Sequence, residues 1–207
     1  MMNFFCFDLE GVFTPEIWIE VSKRFGIPAL RLTTRDIPDY DRLMKCRLKI
    51  LRKEKIRLRD IQKVIAGMRP LPGARAFLDS VRTLGPVVIL SDTYYEFAGP
   101  LLKKLGRPAL FCNWLQTDRA GYISNYILRQ KNGKRKAVEA FKRVGFQVTA
   151  VGDSYNDLGM IRAAQRGIFF RAPEAIAKKY RRIPAVQTYR DLLGLLRYNK
   201  PGFKAKK

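Results

Sequence analysis

Three apolar runs along the chain end in side chains that carry oxygen. Carboxylates or a hydroxyl follow each run within a few positions: Asp8 and Glu10 after residues 4–7, Ser91 and Asp92 after residues 87–90, and Asp153 and Asp157 after residues 148–151. Because ligands of a parallel α/β sheet bind beyond the carboxyl ends of its strands, these distant side chains can meet in one crevice. Two carboxylate pairs and a hydroxyl in one place predict a magnesium site for phosphoryl transfer.

The two carboxylate pairs support each other. The two-residue spacing of Asp8 and Glu10 points both side chains to one side of an extended chain, although an isolated pair of this kind is also typical of a turn cap. The pair Asp153 and Asp157 also follows a buried strand, and clustered carboxylates repel each other unless a cation binds them. Mg²⁺ takes one or two protein carboxylates, and Asp8 and Asp153 suit that role.

A hydroxyl and a lysine complete the predicted phosphate site. Ser91 offers a hydroxyl and a backbone N–H to a phosphate oxygen, and Lys134, at the start of a helix, could neutralise the charge of the transferred group. Taken alone, Ser91 also fits a helix cap and Lys134 a solvated surface lysine.

Composition narrows the class of protein. The 207 residues are 47% hydrophobic and include no histidine and three widely spaced cysteines, Cys6, Cys46 and Cys112. This argues against zinc and against a disulfide framework, and it indicates a reducing cytoplasm. No stretch reaches the roughly 18 apolar residues of a membrane span, and no secretory leader is visible, so we expect a soluble cytoplasmic protein.

The net charge of +23 is extreme. Such a charge usually indicates a nucleic-acid or other anionic partner. Here Lys and Arg are spread through almost every segment, with no recognisable nucleic-acid motif, so we expect only non-specific attraction to polyanions. The sequence does not fix the oligomeric state, and a homodimer stays open.

Strands alternate with helices over most of the chain, which predicts an α/β fold with a Rossmann-like, doubly wound, mainly parallel sheet. Residues 15–73 show helical spacing without strand-like alternation, so they predict a small helical cap inserted after the first strand. The catalytic core is then residues 1–14 and 74–198, and residues 199–207 form a basic tail.

Local patterns place the remaining elements. Strands 110–116 and 122–128 read as a hairpin, and Thr188 with Asp191 resembles a capping box for the last helix. We also expect a helix at 134–144 with Val144 on its apolar face, and a helix near 157–165 closed by Gly167.

These motifs resemble the haloacid dehalogenase-type phosphatases. The four motifs of that superfamily match, in order, Asp8 with Glu10, Ser91, Lys134, and Asp153 with Asp157. The resemblance implies that Asp8 attacks the phosphoryl group to form an aspartyl phosphate and that Glu10 acts as acid and then as base. It also implies Mg²⁺ held by Asp8, the Glu10 carbonyl and Asp153, with Asn156 or Asp157 as support. Lys131 is the alternative lysine.

The helical insert resembles the cap of phosphoserine phosphatases. By that resemblance Glu16 receives the substrate ammonium, Arg47 binds its carboxylate and Tyr40 lines the pocket, which suits an α-amino acid because Arg grips a carboxylate with two hydrogen bonds. Without the resemblance, Arg47 would read as one of many basic residues on its helix.

Longer strings are similar to the bifunctional phosphoserine phosphatase/homoserine phosphotransferase (ThrH-like) group. They are Asp8-Leu-Glu-Gly-Val, Pro15-Glu-Ile-Trp-Ile, Thr34-Arg-Asp-Ile-Pro-Asp-Tyr-Asp41, Ile89-Leu-Ser-Asp-Thr-Tyr-Tyr-Glu-Phe97, Leu128-Arg-Gln-Lys and Gly152-Asp-Ser-Tyr-Asn-Asp157. Glu10, in place of the usual Asp, and Asp92, in place of the usual Gly, fit this group, whereas the high net charge departs from it.

The resemblance implies a Mg²⁺-dependent phosphatase for O-phosphoserine that also transfers the phosphoryl group to homoserine, with Asp92 and Asn156 near the substrate. The extra methylene of Glu10 gives a hypothesis for an alcohol acceptor, because catalysis responds to displacements of about 1 Å. Two alternatives stay open: a phosphatase for another small phosphomonoester, and a polyanion-binding protein on an inactive scaffold of this type.

Overall fold

The computed structural model describes residues 2–33, 36–37 and 39–197 and contains one mixed sheet. Its strands are β1 (Asn3–Phe7), β2 (Val87–Tyr94), β3 (Ala109–Thr117), β4 (Ile123–Ile127), β5 (Gln147–Gly152), β6 (Arg166–Phe170) and β7 (Ala185–Val186). The strand order is β4-β3-β2-β1-β5-β6-β7, and all described neighbours are parallel except β3 and β4. The predicted α/β fold with a mainly parallel sheet is confirmed.

Helices connect the parallel strands. They are α1 (Ile17–Phe25), α2 (Tyr40–Lys53), α3 (Leu58–Gly67), α4 (Ala74–Arg82), α5 (Tyr95–Lys104), α6 (Gly133–Arg143), α7 (Leu158–Ala163), α8 (Glu174–Lys179) and α9 (Tyr189–Arg197), with 3-10 turns at Pro28–Arg31 and Tyr155–Asp157. Among the described residues, every helix is too short or too polar to cross a bilayer.

The alternation of side chains along β1 shows how the sheet is covered on both faces. Phe5 and Phe7 pack with Phe77 of α4 and with residues of α9 on one face. Cys6, between them, packs with Val138 of α6 and with residues of α7 on the other face. Successive strand residues point to opposite faces, so β1 contributes to both cores and lies at the centre of the sheet.

The segment between β1 and β2 contributes a third apolar cluster. Helices α1, α2 and α3 form the first part of this segment and contribute the cluster, with no strand among its described residues, while α4 follows them and packs on the sheet. Their buried residues pack with Tyr94, Phe97 and Leu115, so the segment rests on α5 and the β3–β4 hairpin. A cap bounded at residues 15 and 73 stays a prediction, and the predicted tail at 199–207 lies outside the described residues.

Strand β2 is longer than predicted. The sequence predicts that it ends at Leu90, but it continues to Tyr94, which pairs with Asn113 after a register shift in the β2–β3 ladder. Ser91 and Asp92 therefore lie in an irregular stretch inside the strand, not after it.

Two helical predictions are wrong at their ends. The helix expected near 157–165 begins as the 3-10 turn Tyr155–Asp157, and α7 ends at Ala163. Gly167 lies in β6, where an added Cβ would be 2.4 Å from Ile161 Cγ2, so it permits close packing of α7 and does not end a helix. Val144 follows the last residue of α6 and is 71% exposed.

Two local predictions are confirmed. The chain reverses between β3 and β4 with Asp118 N–H donating to the Tyr122 carbonyl at 2.9 Å. Before α9, the Asp191 N–H donates to Thr188 Oγ1 at 3.1 Å, which is one of the two bonds of a capping box, and the Thr188 hydroxyl donates to Asp191 Oδ2 at 2.7 Å.

Candidate active site

The centre of the site is Asp8, the first residue after β1. Its backbone N–H donates to the Val151 carbonyl of β5 at 3.0 Å, and its Oδ1 accepts the Leu9 N–H at 2.7 Å. These bonds fix the carboxylate at the carboxyl end of the sheet, where it is only 5% exposed.

Gly11 lets the loop after Asp8 pass close to Asp153. Its φ of +75° lies in the left-handed region, and an added Cβ would be 2.5 Å from Asp153 Oδ2. Both the backbone conformation and the space therefore require glycine.

The aspartates after β5 have different surroundings. Asp157 is fully buried, and its Oδ2 accepts the backbone N–H groups of Asp153 and Ser154 at 3.0 and 3.2 Å. Asp153 is partly exposed and lines the cleft described below. Asp157 thus holds the loop in place, while Asp153 faces the solvent side of the site.

Lys134, at the start of α6, joins the two loops. Its Nζ lies 2.8 Å from Asp157 Oδ1, 3.0 Å from Asp8 Oδ1 and 3.3 Å from Asp92 Oδ2, with its side chain 7% exposed. Burial disfavours its ammonium form, but the three carboxylates outweigh that effect and hold its pKa well above the ordinary value. Lys131 is exposed and lies outside the cleft lining, so the structure brings Lys134 and not Lys131 to the cluster.

The aspartates form a group that fits a hard cation. Carboxylate oxygens of Asp8, Asp153 and Asp157 all lie within 4.8 Å of one another. Burial and then the Asp157 charge raise the pKa of Asp8 well above its usual range and that of Asp153 to about 7. The mutual repulsion of the carboxylates exceeds the attraction that Lys134 supplies. This set of oxygen donors could therefore hold a metal ion.

Ser91 and Asp92 bring β2 to the same place. The buried Ser91 Oγ accepts the Thr93 N–H at 3.2 Å. Asp92 Oδ2 accepts from Asn156 Nδ2 at 3.1 Å, and the Asp92 carbonyl accepts from Asn113 Nδ2 at 3.1 Å. Sequence reasoning missed Asn113, whose signal in the sequence is a polar residue within the predicted strand 110–116; the structure buries it in β3.

Glu10 lies in the loop after β1 and points toward the helical insert that contains α1, α2 and α3. Its Oε2 accepts the Ile17 N–H at the start of α1, at 2.8 Å. Burial, followed by the charge of Glu16, raises the pKa of Glu10 to about 8.

A cleft of about 400 Å³ opens between the aspartates and the insert. All the predicted site residues except Asp157, which lies buried beneath it, line this cleft; they are Asp8, Glu10, Glu16, Tyr40, Arg47, Ser91, Asp92, Lys134, Asp153 and Asn156. Sequence reasoning missed Trp18 and Arg171, which also line it.

Arg47 of α2 is held by two contacts at the side of the cleft formed by the helical insert. Its guanidinium carbon lies 4.4 Å from the centre of the Trp18 ring, and its Nη2 donates to the Leu32 carbonyl at 2.7 Å. Its Nε is buried and has no hydrogen-bond partner within the described part of the chain. An unpaired buried donor is costly, so this guanidinium keeps one hydrogen-bonding group uncompensated within the described protein.

Tyr40 links the insert to β2. Its hydroxyl lies 2.7 Å from that of Tyr94 and donates to the Asp92 carbonyl at 3.4 Å. Of the sequence string 34–41 that includes Tyr40, residues 34, 35 and 38 lie outside the described residues.

Comparisons with known proteins agree with this geometry. Residues 2–165 match the family of haloacid dehalogenase-like hydrolases. Phosphoserine phosphatase ThrH of Pseudomonas aeruginosa is 52% identical over 191 residues, which cover 92% of this chain and 93% of that protein. A phosphoserine phosphatase of Pseudomonas syringae pv. tomato is 50% identical over 187 residues, covering 90% and 79%.

A solved structure agrees in fold. The phospho-aspartyl intermediate analogue of a phosphoserine phosphatase superposes with a TM-score of 0.77 at 18% identity, over 94% of this chain and 98% of that one. This common fold agrees with the family match over residues 2–165 and with the two relatives at 52% and 50% identity. The chain therefore belongs to the haloacid dehalogenase-like hydrolases.

Proposed function

We propose that this hydrolase is a Mg²⁺-dependent phosphoserine phosphatase, acting on phosphoric monoesters through an aspartyl phosphate on Asp8. The observation that carries the proposal is a single cleft lined by Asp8, Lys134, Glu16 and Arg47. A nucleophile with a cationic neighbour suits the phosphoryl group, and a separate anion and cation suit an α-amino acid. The relatives at 52% and 50% identity, both phosphoserine phosphatases, support the same substrate.

In the first step, an Asp8 oxygen attacks phosphorus and the bond to the serine oxygen breaks. The electron pair of that bond goes to the serine oxygen, which takes a proton from the Glu10 carboxyl group. In the second step, Glu10 removes a proton from water, the hydroxide attacks phosphorus, and Asp8 is released with inorganic phosphate. The position of Glu10 supports this role, because its carboxylate is held over the same cleft by the Ile17 N–H.

The remaining residues position the phosphoryl group and neutralise its charge. Lys134 and the Ser91 hydroxyl would bind phosphoryl oxygens, and Asp157 keeps Lys134 in place through a 2.8 Å contact. Mg²⁺ would be held by Asp8, the Glu10 carbonyl and Asp153, and it supplies charge neutralisation at the phosphoryl oxygens. Both oxygens of Asp157 already accept hydrogen bonds, which supports a role beside the ion and not as its main ligand.

We propose that the insert, residues 15–73, acts as a cap and selects the substrate. Arg47 would bind the substrate carboxylate through its unpaired Nε and a second guanidinium N–H, with Glu16 receiving the ammonium. Asp92 and Asn156, joined by a 3.1 Å hydrogen bond, would line the phosphate end. We further propose transfer of the phosphoryl group to homoserine, where an alcohol replaces water in the second step.

Phosphate release from a substrate panel tests the proposal. O-phosphoserine should be the preferred substrate, Asp8→Asn should abolish turnover, and homoserine should divert the phosphoryl group only in the presence of Mg²⁺. Asp8→Asn retaining the rate of the parent enzyme on any panel substrate would contradict the proposed nucleophile.

Arg47→Ala separates phosphoserine from other small phosphomonoesters. Losing two charge-assisted hydrogen bonds, at roughly 1.5–3 kcal/mol each, should lower kcat/KM for phosphoserine by at least about 10²-fold. A phosphomonoester without a carboxylate should lose less than about threefold. Arg47→Lys is the matched control. It keeps the positive charge but lacks the planar guanidinium that donates two parallel hydrogen bonds, so it should recover only part of the loss. Equal losses on both substrates would refute the carboxylate contact.

A further inference from the structure

The acidic residues of this chain are concentrated at the cleft. Six of its 18 Asp and Glu residues lie there: Asp8, Glu10, Glu16, Asp92, Asp153 and Asp157. Most of the 41 Lys and Arg residues lie elsewhere. The outer surface is therefore more basic than the net charge of +23 alone suggests.

Helix α2 carries a row of this basic charge on its outer side. Arg42, Lys45, Lys49 and Arg52 are spaced by three, four and three residues, so they lie along one helix face, and all four are exposed. We call these four residues with the adjacent Lys53 the basic ridge. From Arg42 to Lys53, at 1.5 Å per residue, it extends over about 16 Å.

Few charges of the basic ridge are neutralised. Lys45 pairs with Asp41 at 2.5 Å and Arg52 with Asp118 at 2.6 Å, and exposed pairs of this kind are weak. The side chains of Arg42, Lys49 and Lys53 form no ion pair with any described residue. Residues 40–67 contain ten Lys or Arg residues and only three Asp or Glu residues.

The turn of the β3–β4 hairpin extends the basic ridge. The guanidinium carbons of Arg52 and Arg57 lie 4.4 and 5.4 Å from the centre of the Tyr122 ring. The Gly121 carbonyl accepts the Leu58 N–H at 3.0 Å, which fixes the hairpin beside the start of α3. Arg119 is exposed in the same turn, so the positive surface continues past the end of α2.

The apolar face of α2 is already occupied. Met44 and Leu51 are buried in the apolar cluster of the insert and Leu43 is buried at the cleft, so no free apolar face accompanies the basic ridge. A membrane-bound helix needs such a face, whereas a phosphodiester chain needs only regularly spaced cations. Lys45 and Lys49 are about 6 Å apart along the axis, which gives this regular spacing.

We propose that the basic ridge binds the phosphodiester backbone of a nucleic acid without reading its sequence. Lys and Arg side chains contact phosphates and release condensed counterions, which makes such binding strongly dependent on salt and independent of base identity. This site lies on the outer face of α2, while Arg47 of the same helix faces the cleft. The proposal is therefore independent of the phosphatase function.

Fluorescence anisotropy with labelled single-stranded RNA and DNA oligonucleotides of mixed sequence tests the proposal on the full chain. The ridge variant combines Arg42→Gln, Lys49→Gln and Lys53→Gln. The matched control combines Lys136→Gln, Arg143→Gln and Arg182→Gln, three exposed residues outside the ridge that also lack an ion pair in the described structure. Both variants lose three charges, and both should keep the parent's rate of phosphate release.

The ridge variant should bind the oligonucleotides at least about tenfold more weakly at a fixed salt concentration. The steepness with which the logarithm of its binding constant falls with the logarithm of the salt concentration should decrease by about 2, since each phosphate contact on a single strand contributes roughly 0.7. The control variant should lose less than about threefold. Lys49→Gln alone, which is the milder change if the triple variant folds poorly, should lower the slope by about 0.7.

Three results would overturn the proposal. Equal losses in the two triple variants would mean that the general positive field binds polyanions. Loss of binding on removal of residues 199–207, with the ridge variant unchanged, would assign the binding to that segment. Tighter ridge-dependent binding to vesicles of anionic lipid than to RNA would assign the ridge to a membrane.

Discussion

Replacing Gly11 with alanine tests whether the loop after Asp8, the proposed nucleophile, sets the position of Asp153. In the structure, an added Cβ would lie 2.5 Å from Asp153 Oδ2, well inside the 3.4 Å at which ordinary contact begins. The Asp153 carboxylate would have to move by about 0.9 Å to restore that contact. A displacement on the order of 1 Å in an active site can reduce the rate by about 10²-fold.

Gly26→Ala is the matched control for this change. Gly26 follows α1 with a φ of +66°, close to the +75° of Gly11, but an added Cβ there meets nothing within 4 Å. Both variants therefore carry the cost of a left-handed alanine, about 1–2 kcal/mol, and only Gly11→Ala also displaces a carboxylate.

Urea unfolding and phosphate release from O-phosphoserine separate the two effects. Both variants should lose about 1–2 kcal/mol of unfolding free energy from the backbone. The kcat/KM of Gly11→Ala should fall by about 10²-fold, while that of Gly26→Ala stays within about threefold of the parent. Comparable activity of the two variants would show that Asp153 does not depend on Gly11, and the explanation of that glycine would be wrong.

Three further changes test the chemistry of the cluster. Glu10→Asp should lower the ratio of transfer to homoserine over hydrolysis, because it withdraws the base by about one bond length, and an unchanged ratio would contradict that hypothesis. Lys134→Met should lower the unfolding free energy by about 3–5 kcal/mol by leaving buried carboxylates without a cation, whereas Lys131→Met should unfold like the parent in urea. Mg²⁺ at about 100 times its Kd should stabilise the parent by about 2.7 kcal/mol in thermal unfolding, and Asp153→Asn should lose that gain; an equal gain in both would exclude Asp153 as a ligand.

Predictions from the sequence succeed where one local pattern determines the structure. Apolar runs ending in Asp8 and Asp153 mark β1 and β5 correctly, because buried parallel strands need continuous apolar residues and their carboxyl ends can hold polar groups. The pairing of Thr188 and Asp191 marks the start of α9 for a similarly local reason.

Predictions fail where a partner far along the chain decides. Ser91 is followed by polar Asp92 and Thr93, so the sequence ends β2 early, yet pairing of Tyr94 with Asn113 on β3 extends it. Gly167 resembles a helix terminator, but its role depends on the closeness of Ile161. The contact of Arg47 with Trp18 likewise joins two helices of the insert, and neither position alone indicates it.

The distribution of charge explains how an acidic cleft can serve a phosphorylated substrate. Asp8, Glu10, Glu16, Asp92 and Asp153 line a space whose described cationic side chains are Arg47, Lys134 and Arg171, so without a metal ion the cleft disfavours a phosphate dianion. Two positive charges from a bound divalent ion would bring the lining close to neutral, and the ammonium of the proposed amino-acid substrate would then compensate its own carboxylate. A phosphorylated sugar has no such ammonium to place beside Glu16. For the proposed enzyme, this balance predicts that a bound divalent ion would control binding of the phosphate, while the charges of the insert would control which phosphomonoester is bound.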